Sequence, residues 1–154
     1  MIILIDTREQ KPLEFNHPYI DRVERVKLEF ADYAVKFKDG YVPPVYIERK
    51  SLGDLFGTMT SGYARFKKEL QRAQEAKATL KLMIEANFSE VLFGYEHSRF
   101  EGISMIRKLM TLRVRHGIVF HCFNNRQEMT TYITELFISL GKEHIRHRQQ
   151  AKLG

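Results

Sequence analysis

Apolar and polar positions follow two different periods along the chain, and the switches between them mark its elements. Ile2 to Ile5 is a short apolar, mostly β-branched run suited to a buried strand, and DTREQKP follows as its polar exit, so Asp6 stands at a strand end. From Val23 to Phe37 apolar residues alternate roughly with polar ones, an extended pattern that becomes irregular around Ala31 and Asp32. Asp39-Gly40 is a turn signal, and Pro43-Pro44 bars those positions from a central ladder, which places the next strand at about Val45 to Lys50. Two neighbouring strands joined by that turn would bring Asp32 close to Glu48.

The second half changes to helical spacing. YARFKKELQRAQEAKATLKLMIEA, Tyr63 to Ala86, predicts one long helix with Tyr63, Phe66, Leu70, Ala73, Leu80 and Ile84 on its apolar face. EVLFGYE, Glu90 to Glu96, predicts a buried strand, Ile103 to Val114 a helix, and GIVFHCF, Gly117 to Phe123, another strand. A last helix carries Met129, Tyr132, Ile133, Leu136, Phe137 and Leu140 on one face. The alternation of helix and strand after residue 60 points to an α/β architecture: helices cover a mixed sheet whose early strands form an antiparallel meander and whose central strands are mostly parallel.

At 154 residues, with 44% hydrophobic residues and no Ser, Gly or Pro linker or repeat, the chain fits one globular domain, residues 1–154. The opening MIILID is soon interrupted by Asp6 and Arg8 and no long apolar run follows, so the expectation is a soluble protein working inside a cell, in the cytoplasm, away from membranes. Twenty-five Lys and Arg against 19 Asp and Glu give a formal charge of +6, which favours a polyanionic partner only weakly. Cys122, the sole cysteine, reads as a structural thiol in an apolar run.

The run VYIERKSLGDL carries the chemistry. On a strand Glu48 and Lys50 share one face, while Ile47 and Arg49 take the other. A carboxylate beside an ammonium is either an ordinary ion pair or part of a metal site, and the choice depends on other acids. Asp6, Glu9, Asp32 and Asp54 are available, all at strand ends or in the polar segments leaving them. Carboxylates crowded together raise one another's pKa, and a divalent cation relieves that repulsion. Hard oxygen donors favour Mg2+, with Mn2+ as a substitute. Zinc is disfavoured, because His116, His121, His144 and His147 form no compact ligand set with the lone Cys122, and His144 and His147 read as solvated residues near a helix end. Lys50 next to a metal site suits phosphodiester hydrolysis, where an ammonium stabilises developing negative charge. Arg49 would pair with Glu9 or Asp54, or reach a phosphate, and Ser51 is placed to cap a helical turn. Arg65, Lys67, Lys68, Arg72, Lys77 and Lys81 make either a solvated helix face or a surface near a phosphate backbone. Tyr33 and Tyr63 read as packing residues.

At these residues the sequence resembles the nuclease domain of the ERCC4 family, to which the XPF and Mus81 structure-specific endonucleases belong. DTRE at Asp6 to Glu9, ADY at Ala31 to Tyr33 and ERKSLGDL at Glu48 to Leu55 match its ordered elements, and GYARFKKEL resembles the helix that follows. The similarity covers residues 2 to about 140 and implies a restriction-endonuclease-like core and Mg2+-dependent cutting of DNA at branches, flaps or junctions. By resemblance Asp32 and Glu48 are metal ligands, with the main-chain carbonyl of Arg49 completing the set. Lys50 is the catalytic lysine, and Asp6, Glu9, Arg49 and Asp54 are needed around it. Arg8, Ser51, Arg65, Lys67, Lys68 and Arg72 are supporting or DNA-contacting. Ala31 stands where the family usually has glycine, so the backbone beside Asp32 is expected to differ. The helix-hairpin-helix and helicase parts that select DNA structure in many relatives are not in this sequence, so the source of substrate choice stays open, with a separate DNA-targeting protein as one candidate; a homodimer is expected if two opposed strands are cut. Two other functions remain open: a catalytically silent DNA-binding or scaffold subunit, and a sequence-specific restriction-type endonuclease.

Overall fold

A computed structural model describes residues 1–154 as six strands and five helices. β1 (Ile2–Asp6), β2 (Arg22–Val26), β3 (Tyr33–Lys36) and β4 (Val45–Ser51) precede α1 (Leu52–Met59) and α2 (Tyr63–Glu75). Then follow β5 (Thr79–Glu85), α3 (Phe88–Phe93), α4 (Gly102–His116), β6 (Val119–Cys122) and α5 (Arg126–Leu153). The strands form one sheet in the order β2-β1-β3-β4-β5-β6. β1, β3 and β4 make the antiparallel meander expected of the first third, and β4, β5 and β6 run parallel. β2 adds to the outer edge, parallel to β1.

Strand alternation divides the core between the two faces of the sheet. Leu80, Leu82 and Ile84 of β5 pack with α1, α2 and α4 in a cluster of 18 buried residues. Ile3, Ile5, Tyr33, Ile47 and Met83 pack against Met129, Ile133, Phe137 and Ile138 of α5 on the other side. The result is three layers, helix, sheet and helix, with β4 central. Tyr46 joins the α1–α4 side and Ile47 is fully buried on the α5 side, so the same alternation sends Glu48 and Lys50 toward the first layer and Arg49 toward the second.

Two sequence expectations are corrected. The long helix from Tyr63 ends at Glu75, because Lys77 turns into the left-handed region at φ 57° and the chain re-enters the sheet as β5. Ala76, Lys77 and Ala78 are all compatible with helix, so nothing local marks the break. What decides it is pairing: β5 is bonded on both sides, to all seven residues of β4 and to β6, and tertiary structure overrides propensity. Lys77 and Lys81 therefore leave the basic helix face. The segment from Glu90, read as a strand, lies in α3 and the turn after it. Asn87 accepts from the Glu90 N–H and the Glu90 carboxylate accepts from the Asn87 N–H, a capping box that starts a helix. The pattern from Val23 to Phe37 is two strands, and the irregularity at Ala31 and Asp32 is the gap between them.

Candidate active site

The site forms where β3 begins and β4 ends. Asp32 precedes β3, with its N–H bonded to the Ile47 carbonyl (2.9 Å) and its own carbonyl accepting from the Asp6 N–H (2.8 Å). This stitches it between β1 and β4. Its carboxylate accepts from the Arg49 N–H at 2.8 Å, which brings the side chain to the same stretch of β4 that carries Glu48 and Lys50. Lys50 Nζ lies 3.2 Å from Glu48 Oε1, with both side chains less than one fifth exposed. Two acids and one ammonium, brought together from β4 and the residue just before β3, form the chemical centre.

Its electrostatics depart from those of a surface ion pair. Burial raises the Asp32 carboxyl above the ordinary range, against the opposing Arg49 N–H bond, and the Glu9 charge adds to the rise. Burial raises Glu48 further, and the Asp32 charge adds to it while Lys50 opposes it. One ammonium does not neutralise the two acids. Two desolvated, crowded carboxyl groups with hard oxygen donors therefore fit a divalent cation such as Mg2+, which favours their ionised forms. No group of three or more His, Cys, Asp or Glu side chains is clustered closely enough to hold an ion by side chains alone. An ion here would draw on two carboxylates, backbone oxygen and water.

The remaining acids of the predicted cluster do other work. Asp6, almost fully buried, accepts from the N–H groups of Leu28 and Arg8 and from Arg8 Nε. Burial raises its pKa, but these bonds outweigh that and hold the carboxyl below its usual value. Glu9 is taken by Arg49 in a two-pronged pair, Nε to Oε2 at 2.8 Å and Nη2 to Oε1 at 2.7 Å. Arg49 Nη1 also donates to Glu85 Oε1 at 2.9 Å, and Arg126 at the start of α5 bonds the same oxygen. Arg49 is 8% exposed with each of its three nitrogens donating, so its side chain is a strut joining the 9–12 loop, β5 and, through Glu85, α5. Nor does it pair with Asp54, which is exposed in the first turn of α1, where its N–H donates to the capping Ser51 Oγ.

Basic residues flank the centre. The Arg8 guanidinium is 69% exposed beside Asp6, and the charges of Glu69 and Asp32 both act on it. On α2, Arg65, Lys67 and Lys68 are exposed, and Lys67 lies over the Tyr63 ring at 5.5 Å. Arg72 is tied back, donating to the Glu29 carbonyl at 3.3 Å and lying over Phe30. Tyr33 is fully buried and its hydroxyl accepts from the Leu13 N–H, a packing role as the pattern predicted. His144, expected in solvent, is instead stacked on Tyr41 and bonded to Asp39, while His147 is exposed beside Glu143. A cavity of about 580 Å³ lies between residues 12–17 and the first half of α5, and none of Asp32, Glu48 or Lys50 lines it.

Glu69 of α2 is a neighbouring acid outside the predicted cluster. Its Oε1 accepts from the Ala31 N–H at 3.3 Å, and its charge contributes to raising Glu48. Ala31 holds the left-handed conformation, φ 59°, and is buried, so alanine here adopts the backbone that a glycine takes without strain. Ala31→Gly is expected to change stability by less than about 1 kcal/mol, since relief of strain is offset by lost methyl packing and a freer unfolded chain. Ala31→Val is expected to destabilise by ~2–3 kcal/mol, because a β-branched residue is poorly tolerated at positive φ in a packed site. Thermal unfolding of the two variants checks both values.

A mixed six-stranded sheet between helical layers, with Asp32, Glu48 and Lys50 gathered at the ends of its middle strands, is the restriction-endonuclease-like fold. Two solved structures of XPF from Aeropyrum pernix share it: one has 17% identity over 97% of this chain and 70% of that chain, at a TM-score of 0.69. The other, a complex with DNA, has 19% identity over 92% of this chain and 66% of that chain, also at 0.69. The family model of the ERCC4 domain matches residues 5–136, and the chain belongs to that family. A search of curated proteins gives no match.

Proposed function

We propose that this chain is a metal-dependent endonuclease that hydrolyses DNA phosphodiester bonds, with a preference for branched, flap or junction structures. One observation carries the reading: Asp32 and Glu48, desolvated and mutually repelling, share a centre with the Lys50 ammonium at 3.2 Å from Glu48. Asp32 and Glu48 would hold Mg2+, or Mn2+ in its place, with the Arg49 carbonyl as a further oxygen. When bound, the ion supplies Lewis acidity and neutralises phosphate charge. Lys50 is placed to orient a water and to stabilise charge developing on a phosphodiester oxygen. Arg8, Arg65, Lys67 and Lys68 are exposed and would contact phosphates, which position DNA without reading its sequence. The DNA complex of the Aeropyrum pernix XPF supports DNA as the ligand. Two copies cutting opposed strands, or a separate targeting protein, would be the source of structural selectivity.

The test is cleavage of matched linear duplex, flap, splayed-arm and four-way DNA, with Mg2+ or with a chelator. Branched substrates are expected to be cut faster than duplex, and none to be cut in chelator. Equal rates on all forms would remove the junction preference. Binding without any cleavage by folded protein would favour the scaffold function.

A further inference from the structure

We propose that Glu69 is a positioning residue of the site, a clamp from α2 that holds the strained turn at Ala31 and thereby sets where the Asp32 carboxylate points. The inference rests on the reading of Asp32 and Glu48 as the metal-holding pair. A non-glycine residue in the left-handed region persists only where its surroundings fix it. Around Ala31 the fixing bonds can be counted. Asp32 is held on its two backbone sides by Ile47 and Asp6, while the N–H of buried Ala31 is accepted by Glu69 Oε1. Arg72, three residues further along α2, grips the same loop through the Glu29 carbonyl and the Phe30 ring. The two side chains tie the loop to α2, the helix that also bears exposed Arg65 and Lys68. Without the Glu69 bond the Ala31 N–H loses its partner, and the turn relaxes toward an ordinary backbone conformation, carrying Asp32 with it.

Mn2+ binding to the purified protein, followed by electron paramagnetic resonance, tests this alongside hydrogen exchange at the Ala31 amide. Glu69→Ala is expected to weaken Mn2+ binding about tenfold, the scale seen when a group supporting a metal ligand is lost. It should also speed exchange at Ala31. Glu69→Gln keeps a carbonyl oxygen to accept the same N–H and should stay close to wild type in both. Adding Ala31→Gly to Glu69→Ala should recover most of the affinity, because glycine takes the turn unaided. In cleavage assays Glu69→Ala should need more metal, with KM for DNA unchanged. Wild-type Mn2+ affinity in Glu69→Ala, or an equal loss in Glu69→Gln, would overturn the clamp. If the wild-type protein binds no Mn2+, or binds it as well after Asp32→Asn, the metal reading fails and this inference with it. Protection at Ala31, which needs no metal, would then show whether the Glu69 bond itself exists.

Discussion

Glu48→Gln is expected to lower DNA cleavage on the order of 10³-fold while making the metal-free protein more stable. The two effects have one cause. Glu48 is desolvated beside Asp32, so its ionised form is costly in the folded state, and the amide removes that cost. The gain should be ~1–3 kcal/mol near neutral pH, a rise in Tm of several degrees for a chain of this size. The sign in pH follows. A carboxyl whose folded pKa lies above its unfolded value binds more protons when folded, so stability falls as pH rises from the unfolded value through the raised one. Metal-free wild type should therefore lose stability from about pH 4 up to neutrality more steeply than Glu48→Gln, and Mg2+ should restore it only in wild type. Lys50→Ala should lose most cleavage too, yet without this stabilisation, because it leaves the acids without their ammonium. Thermal scans across pH with and without Mg2+ separate the two variants. A Glu48→Gln protein less stable than wild type at every pH would contradict the electrostatic account.

Arg49→Ala is expected to have the largest effect on stability, ~3–5 kcal/mol, because it strands Glu9 as a buried charge without its cation. Arg126 still reaches Glu85, but Glu9 keeps no cation, holding just the Lys11 N–H and the neighbouring Tyr33 hydroxyl. Burial alone would raise Glu9, and the Arg49 pair outweighs it to hold the carboxyl below its usual value. Its contribution is thus present above the unfolded carboxylate pKa and lost as pH falls through the lower folded one. The gap between wild type and Arg49→Ala should narrow in acid. Chemical denaturation at neutral and acid pH measures this, and a loss below 1 kcal/mol at neutral pH would show that the strut is not holding the site.

Much of this centre is visible in the sequence because its parts are local. Alternation along VYIERKS places Glu48 and Lys50 together, the turn signals at Asp39-Gly40 and Pro43-Pro44 make β3 and β4 neighbours, and Ser51 three residues before Asp54 marks the cap of α1. The misplaced features depend on pairing between distant segments. No glycine or proline separates α2 from β5, and only the strands on either side explain why Thr79 to Glu85 is extended. Glu85, which bonds Arg49 and also Arg126, and Glu69, which bonds Ala31, lie far along the chain from those partners, and no spacing rule connects them. Asn87 and Glu90 are different: their capping box was available in the sequence and outweighs the apolar run behind it.

The central claim is that Asp32 and Glu48 share one divalent cation. Crystals grown with Mn2+ and measured at its absorption edge test it most directly. An anomalous peak coordinated by one carboxylate oxygen from each residue, absent after Asp32→Asn, is the predicted result. Well-ordered Asp32 and Glu48 carboxylates with no peak between them at millimolar Mn2+ would contradict it.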